Sequence, residues 1–367
     1  MLFKNHILLV LIIFFVSCGG DSEVGTSDPS NISLEVNIAE GNTGVVDIMV
    51  QADNAIEFQI DLGLNNGDII TNTTGLYTHT YEITGVYLIS VKAIGTSGKF
   101  LSKTKEITVQ VGEIGGPVTS DDGYITPLSY TGMSLVWQDE FNGTSLNELD
   151  WNYETGTGSS GWGNNELQYY TNANTSVANG RLVIVARKEN INSSAYTSSR
   201  LTTQNKVEVK YGRIDIRAVM PEGKGLWPAL WMLGTNINTV GWPACGEIDI
   251  MEMIGGGSND SETHGTVHWS DASNQHASFG ASKALTSGKL SDEFHVYTII
   301  WDASSITWYL DDVEFNTVNT SPSHMDEFRS NFFFIFNVAV GGNWPGSPDG
   351  TTVFPQQMTV DYVRVFQ

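Results

Sequence analysis

The chain has 367 residues, which is long enough for two or more domains that each bury an apolar core. Its net charge of −23 at pH 7 excludes nucleic acids and anionic membrane surfaces as partners, because affinity for either depends on Lys and Arg. All ten Trp residues lie from Trp137 onward, and aromatic side chains suit the flat apolar faces of sugar rings. The C-terminal part therefore has a composition that favours a carbohydrate ligand.

The first segment, residues 1–17, has the pattern of a signal peptide, with an apolar stretch at 7–16 that is too short to span a bilayer. The sequence around Cys18 resembles a bacterial lipobox, although Phe15 stands where Leu is usual. This resemblance implies a lipid anchor on Cys18, a flexible tether over 18–30, and an extracytoplasmic outer-membrane lipoprotein. The acidic residues Asp21-Ser22-Glu23 resemble surface-export signals, and the periplasmic and outer faces of the membrane are both left open. The alternative is an ordinary Cys beside a conventional cleavage site.

Residues 31–111 are predicted to form a small β-sandwich. Apolar and polar residues alternate over strands predicted at 32–38, 45–50, 56–60, 87–93 and 104–111. The runs 58–63 and 78–87 resemble a PKD-type, immunoglobulin-like module, with Leu64-Asn65 where such modules usually continue with Asp-Gly. The region lacks Trp and any aromatic platform, so a spacer is favoured over a glycan-binding module.

Residues 112–126, rich in Gly and polar residues, are predicted to be a hinge-like linker. Beyond them, residues 127–367 show little helical periodicity and many alternating runs, such as 211–218. Strands at such frequent intervals predict an all-β domain, either a two-sheet sandwich or a jelly roll.

Three carboxylates lie within the six residues from Glu247 to Glu252, in otherwise apolar, β-prone sequence. Side chains alternate along a strand, so Glu247 and Asp249 share one face and Glu252 falls on the other. A β-bulge at 250–251 would return Glu252 to the face of the other two acids, and bulges are common beside active sites. The alternative is an exposed acidic edge strand.

Two carboxyl groups that flank a glycosidic bond are what glycoside hydrolysis requires. A separation of about 5 to 5.5 Å suits a nucleophile and an acid/base in a retaining mechanism. Glu247 and Glu252 form the natural pair, as nucleophile and acid/base respectively. Asp249 would hydrogen-bond the nucleophile and help to keep the two glutamates in different protonation states.

The runs 225–233 and 241–252 closely resemble the active-site signature of glycoside hydrolase family 16, and most of all its laminarinases, which are endo-β-1,3-glucanases. The resemblance extends over 127–367, and Met251 fits the bulged form of the site. Further matching runs are Trp137–Phe141, Gly163–Tyr170, Gly265–Trp269, Phe336–Pro345 and Val360–Val365.

This resemblance implies a jelly roll whose concave sheet forms a cleft, and a monomer that hydrolyses β-1,3-glucan with retention and without a catalytic cofactor. The alternatives are the same mechanism on mixed-linkage β-1,3-1,4-glucan or another β-glycan, and a non-catalytic glycan-binding surface lipoprotein. Because all three acids are present, the binding-only alternative has little support.

The resemblance also implies sugar contacts from eight residues: Asn165, Glu166, Arg200, Trp227, Trp231, Trp242, Asn337 and Trp344. We expect at least one of these Trp side chains to pack in the core instead. Arg200 lies in a Ser/Thr-rich stretch where a solvated loop position is nearly as plausible. His268 is expected on a neighbouring strand, where it would orient the acid/base, with a purely structural His as the alternative.

A structural Ca²⁺ on the convex side, where the ends of the domain meet, is a further implication of the resemblance. Glu140, Gly180 and Asp361 match the positions expected to supply oxygen ligands, the glycine through its carbonyl. The alternative is that Glu140 and Asp361 form surface contacts only.

Overall fold

The protein divides between Gly112 and Glu113 into two compact units. The predicted signal peptide, Cys18, most of the predicted tether and most of the predicted linker lie outside the described residues. Within the described residues, no helix is both long and apolar enough to cross a membrane. The computed structural model describes residues 27–38, 44–64, 69–81, 85–109 and 121–367.

The N-terminal unit has strands β1 (Ser30–Ile38), β2 (Val45–Asp53), β3 (Ala55–Asp61), β4 (Ile69–Asn72), β5 (Leu76–Thr80), β6 (Gly85–Gly95) and β7 (Phe100–Val109). They form a three-stranded sheet in the order β1-β2-β5 and a four-stranded sheet in the order β4-β3-β6-β7. Alternate residues such as Ile48, Ile60 and Val91 are buried in one shared core. The described part of this unit is therefore a two-sheet sandwich, with β4 and β5 in addition to the predicted strands.

The C-terminal unit contains seventeen strands among its described residues. In chain order they are β8 (Leu135–Asp139), β9 (Asn152–Glu154), β10 (Gln168–Tyr170), β11 (Thr175–Ala178), β12 (Arg181–Ala186), β13 (Tyr196–Ser198), β14 (Arg200–Thr202), β15 (Gly212–Val219), β16 (Leu226–Gly234), β17 (Glu247–Glu252), β18 (Glu262–Ser270), β19 (His276–Ala284), β20 (His295–Trp301), β21 (Ser305–Leu310), β22 (Val313–Asn319), β23 (Phe332–Val340) and β24 (Gln356–Phe366). Helical segments are short: Gly161–Asn165, Asn172–Asn174, α1 (Ile237–Val240), Gly257–Ser261 and Ser323–Arg329.

Two large antiparallel sheets form the body of this unit. The front sheet has the order β19-β18-β17-β16-β23-β14-β9, and the back sheet has the order β11-β12-β24-β15-β20-β21-β22, with β8 also paired to β24. The all-β sandwich predicted for this part of the chain is confirmed.

The alternation of side chains along the front sheet decides what faces the core. In β23, Phe332, Phe334 and Phe336 are buried between the sheets, whereas Asn337 and Ala339 line a cleft on the other side. Burying one aromatic side chain contributes roughly 1.5–3 kcal/mol, so this row fixes the register of the strand. The strands of the front sheet therefore present a defined row of polar and aromatic side chains to the cleft.

Candidate active site

The predicted β-bulge is present in β17. Asp249 pairs with Trp231 of β16, and Met251 pairs with the residue next to Trp231, so Ile250 has no partner on that strand. The pairing of β17 with β18 is also interrupted between Asp249 and Glu252. The extra residue returns Glu252 to the outer face, and all three carboxylates line the same cleft.

The cleft lies on the outer face of the front sheet and has a volume of about 600 Å³. It collects side chains from β14, β16, β17, β18, β19 and β23, together with three segments outside these strands, at 162–166, at Trp242 and at Trp344. Every predicted catalytic and sugar-contact residue lines it except Asn165, whose amide donates to Asn343 Oδ1 at 2.9 Å. The front sheet therefore gathers residues that are far apart in the sequence into one site.

Indole N–H groups donate hydrogen bonds to both glutamates that are predicted to be catalytic. Trp242 Nε1 donates to Glu247 Oε2 at 3.0 Å, and Trp227 Nε1 donates to Glu252 Oε1 at 3.0 Å. Trp242 remains 49% exposed and Trp344 41% exposed. All four predicted Trp contacts line the cleft, so the expectation that one of them packs in the core is wrong.

The position of His268 corrects another expectation. Its Nε2 lies 3.3 Å from Asp249 Oδ2 and 3.7 Å from Glu247 Oε1, so it adjoins the predicted nucleophile rather than the acid/base. The antiparallel register explains this placement, because β18 sets His268 opposite Glu247 and His264 opposite Glu252.

Burial raises the pKa of all three carboxyl groups, and that of Glu252 reaches about 8. The negative charge of Asp249 raises the pKa of Glu247 and Glu252 further, whereas His268 and the indole donors lower them. Asp249 Oδ2 is buried and accepts no aligned hydrogen bond from any described residue. Closely spaced like charges cannot all ionise, so the site holds neutral and ionised carboxyls side by side.

Residues 140–364 match the model for glycosyl hydrolases family 16. This chain belongs to that family.

Two known proteins are similar to this chain in sequence. The clotting factor G alpha subunit of Tachypleus tridentatus is 41% identical over 236 residues, which are 64% of this chain and 34% of that protein. Glucan endo-1,3-beta-glucosidase A1 of Niallia circulans is 38% identical over 271 residues, which are 67% of this chain and 39% of that protein. The chain spans less than half the length of these two relatives.

Among solved structures, the laminarinase catalytic domain of Thermotoga maritima MSB8 superimposes with a TM-score of 0.59 and 45% sequence identity. The match covers 64% of this chain and 98% of that domain. The likeness therefore includes nearly the whole of the solved catalytic domain.

Arg200 lines this family 16 cleft. It is the first residue of β14 and is 8% exposed, so the solvated loop position considered for it is wrong. Its guanidinium lies 4.6 Å from the ring centre of Trp162 and 4.8 Å from that of Trp231. Its Nε donates to a carboxylate oxygen of Glu154. Trp162 and Glu154 were not predicted, and only the three-dimensional pairing of β14 with β9 reveals Glu154.

Glu166 and Asn337 are fixed by one hydrogen-bond network. Glu166 accepts from Gln168 at 2.7 Å and from Tyr170 at 3.2 Å. Asn337 donates to the Tyr170 hydroxyl at 3.1 Å and accepts from Trp231 Nε1 at 2.7 Å. Tyr170 was not predicted as a site residue, although it belongs to the matching run around Glu166. The network orients polar groups toward the cleft without a ligand present.

Glu247, Asp249 and His268 form the one group of acid and His side chains within the described residues whose donor atoms lie within 4.8 Å of one another. These atoms belong to the carboxylate site described above.

Of the three predicted Ca²⁺ ligands, Gly180 and the Glu140 carbonyl lie close together, and Asp361 lies in β24 of the back sheet. The pairing of β24 with β12 ends at Val360, and its pairing with β8 begins at Val363. Asp361 therefore lies between the two paired stretches of β24. A Cβ placed on Gly180 would lie 4.0 Å from the Glu140 carbonyl oxygen. The backbone at this point therefore fits an oxygen-lined site.

The side chain of Glu140 does not fit as a ligand, which corrects the expectation. Arg364 donates to both of its carboxylate oxygens, at 2.7 and 2.9 Å. Asp361 Oδ2 likewise accepts from Arg217 at 2.8 Å. The main-chain carbonyl of Glu140 remains as its contribution, and Asn142 Oδ1, 3.6 Å from the Gly180 Cβ position, is an added oxygen donor.

Proposed function

We propose that this chain is a retaining endo-β-1,3-glucanase that hydrolyses laminarin-type polysaccharide. The observation that carries the proposal is the bulged strand β17, which presents three carboxylates in one cleft rimmed by exposed indoles. Likeness to a laminarinase catalytic domain over 98% of its length supports β-1,3-glucan as the substrate.

In the proposed mechanism Glu252 is the general acid and Glu247 the nucleophile. Because the pKa of Glu252 is raised to about 8, its proton is present at neutral pH for donation to the leaving glycosidic oxygen. Glu247 attacks the anomeric carbon and forms a glycosyl-enzyme, and water then resolves it with Glu252 acting as the base. The hydrogen bond from Trp242 and the proximity of His268 favour the ionised form that Glu247 needs.

Asp249 and His268 support the nucleophile in this scheme. Asp249 is 2% exposed and lies between the two glutamates in β17. A proton shared among the carboxyls is best placed on the most buried of them, so Asp249 is the neutral carboxyl while Glu247 stays ionised. His268 Nε2 then faces the resulting negative charge.

The open rim of the cleft supports an endo mode of attack. Trp242 is exposed at the end of the cleft where Glu247 lies. Trp344 is exposed at the end where Trp227 lies. Indole faces stack on glucose rings, so sugar units on both sides of the cleaved bond find an aromatic contact. A polymer can therefore bind across the site rather than only at its end.

Arg200→Lys is expected to lower kcat/KM on laminarin about tenfold. Lys keeps the charge but loses the planar group that lies between Trp162 and Trp231. Initial rates at several laminarin concentrations measure the effect, with surface Lys210→Arg as the control. A kcat/KM equal to that of the wild type would contradict a role for Arg200 in the cleft.

We propose a structural Ca²⁺ held by the carbonyls of Glu140 and Gly180 together with Asp361. Removal of Ca²⁺ by EDTA is expected to lower Tm by several degrees, and excess Ca²⁺ is expected to restore it, because a ligand that binds only the folded state stabilises it. Calorimetry of the EDTA-treated and the reloaded protein measures this. Identical Tm values, with no calcium found in the purified protein, would contradict the site.

We also propose that the chain is a monomeric, extracytoplasmic lipoprotein anchored through Cys18, with residues 31–111 as a PKD-type spacer and 112–126 as the linker. The lipobox-like sequence and the apolar stretch before it support the anchor. Labelled palmitate is expected to enter the wild type and not Cys18→Ser. Equal labelling of both proteins would contradict the anchor.

A further inference from the structure

We propose that His276 is a positioning residue that fixes the ring orientation and the tautomer of His268. The inference rests on the proposed function, since it concerns the support of the nucleophile Glu247. His276 belongs to no sequence motif that pointed to the site, and it reaches the cleft from β19.

The two imidazoles are in direct contact. His268 Nδ1 and His276 Nε2 are 2.8 Å apart, and the ring centres are 5.1 Å apart with an angle of 20° between the planes. On its other side His276 packs against Trp242, with ring centres 4.6 Å apart. His276 therefore contacts both of the residues whose N–H groups face Glu247.

The surroundings of His268 determine where the ring protons lie. Its Nε2 faces Glu247 Oε1, which the proposed mechanism keeps ionised, and two facing acceptors would repel, so Nε2 carries a proton. In the neutral ring Nδ1 is then an acceptor, and the 2.8 Å contact requires His276 Nε2 to be the donor. Burial and the neighbouring His268 lower the pKa of His276, in agreement with a neutral donor.

The fold does not depend on this contact. The turn between β18 and β19 is closed by its own hydrogen bonds, since Asp271 N donates to Gln275 O at 2.8 Å and Ser273 N donates to Asp271 Oδ1 at 2.8 Å. His276 itself is exposed at the rim of the cleft. Its substitution therefore leaves the hairpin intact and isolates the effect on His268.

The test compares His276→Phe, which keeps an aromatic ring but has no donor, with His276→Gln, which restores an N–H at a similar reach. His324→Phe, an exposed His outside the cleft, controls for the loss of a His in general. His276→Phe is expected to lower kcat on laminarin about tenfold with KM changed less than about twofold, whereas His276→Gln stays within about threefold of wild type.

The ¹⁵N shifts of selectively labelled histidines give a readout that is independent of turnover. In the wild type, His268 is expected to show one neutral tautomer with the proton on Nε2. In His276→Phe its two ring nitrogens are expected to give averaged shifts, as the ring loses its fixed orientation. Wild-type kcat and ¹⁵N shifts in His276→Phe, or a loss in His276→Gln as large as in His276→Phe, would overturn the proposal.

Failure of the proposed function gives a different result. If the wild type did not hydrolyse laminarin, the glucanase assignment would fail, while the ¹⁵N comparison would still show whether His276 sets the tautomer of His268.

Discussion

Glu247→Gln is expected to lower kcat on laminarin by about 10⁴-fold or more, because the amide cannot attack the anomeric carbon. Gln keeps the shape of the side chain and still accepts a hydrogen bond from Trp242, so the fold should persist. Burial already disfavours the ionised carboxylate at this position, so Tm should not fall. Steady-state hydrolysis and thermal unfolding of the same preparation measure both effects.

Glu314→Gln is the matched control, because Glu314 is an exposed glutamate of β22 in the back sheet, outside the cleft. It should retain wild-type turnover. Turnover by Glu247→Gln within tenfold of the control would contradict the assignment of Glu247 as the nucleophile.

Glu252→Gln is expected to lower kcat on laminarin by about 10²- to 10⁴-fold through loss of the proton donor. With an aryl β-glucan oligosaccharide whose leaving group needs no proton, the first step should survive, because Glu247 is unchanged. The second step lacks its base, so the glycosyl-enzyme should accumulate and be detectable by mass spectrometry. Azide should release it as a β-glycosyl azide.

The dependence of activity on pH also distinguishes Glu252→Gln from the wild type. The pKa of Glu252 is raised to about 8, so its proton is present below that pH and activity on laminarin should fall as the pH rises through about 8. Glu252→Gln should lose this alkaline limb on the activated substrate. If Glu252→Gln blocked the first step with the activated substrate as completely as Glu247→Gln does, the assignment of acid/base and nucleophile would be wrong.

The bulge in β17 could be predicted because it follows from local sequence. Three acids at positions one, three and six of an apolar run cannot share a face of a regular strand, and one extra residue in the bulge at 250–251 removes the conflict. The alternation along β16, where Trp227 and Trp231 line the cleft and Leu226 and Leu230 are buried, follows from the same side-chain period.

Contacts between side chains on different strands were harder to predict from the sequence. The sequence predicted His268 on a strand next to β17 but not the register of that strand, which decides whether His268 or His264 lies opposite Glu247. His276 was missed because its contact depends on the length of the turn from Asp271 to Gln275, which no pattern in the strands specifies.

Long-range ion pairs account for the other corrections. Glu140 and Arg364 are 224 residues apart in the sequence, so the neutralisation of a predicted calcium ligand by a guanidinium is visible only in the folded chain. Arg200 was ambiguous for a similar reason, because Glu154 and the two indoles around it come from other elements.

The most direct test of the account is chromatography of the first products that the purified protein releases from laminarin, mixed-linkage β-glucan and agarose in parallel. The account predicts a ladder of short β-1,3-linked oligosaccharides from laminarin early in the reaction. Cleavage confined to one of the other polymers would contradict the β-1,3-glucan assignment while keeping the mechanism. Release from none of the three would contradict catalysis itself and favour a glycan-binding protein.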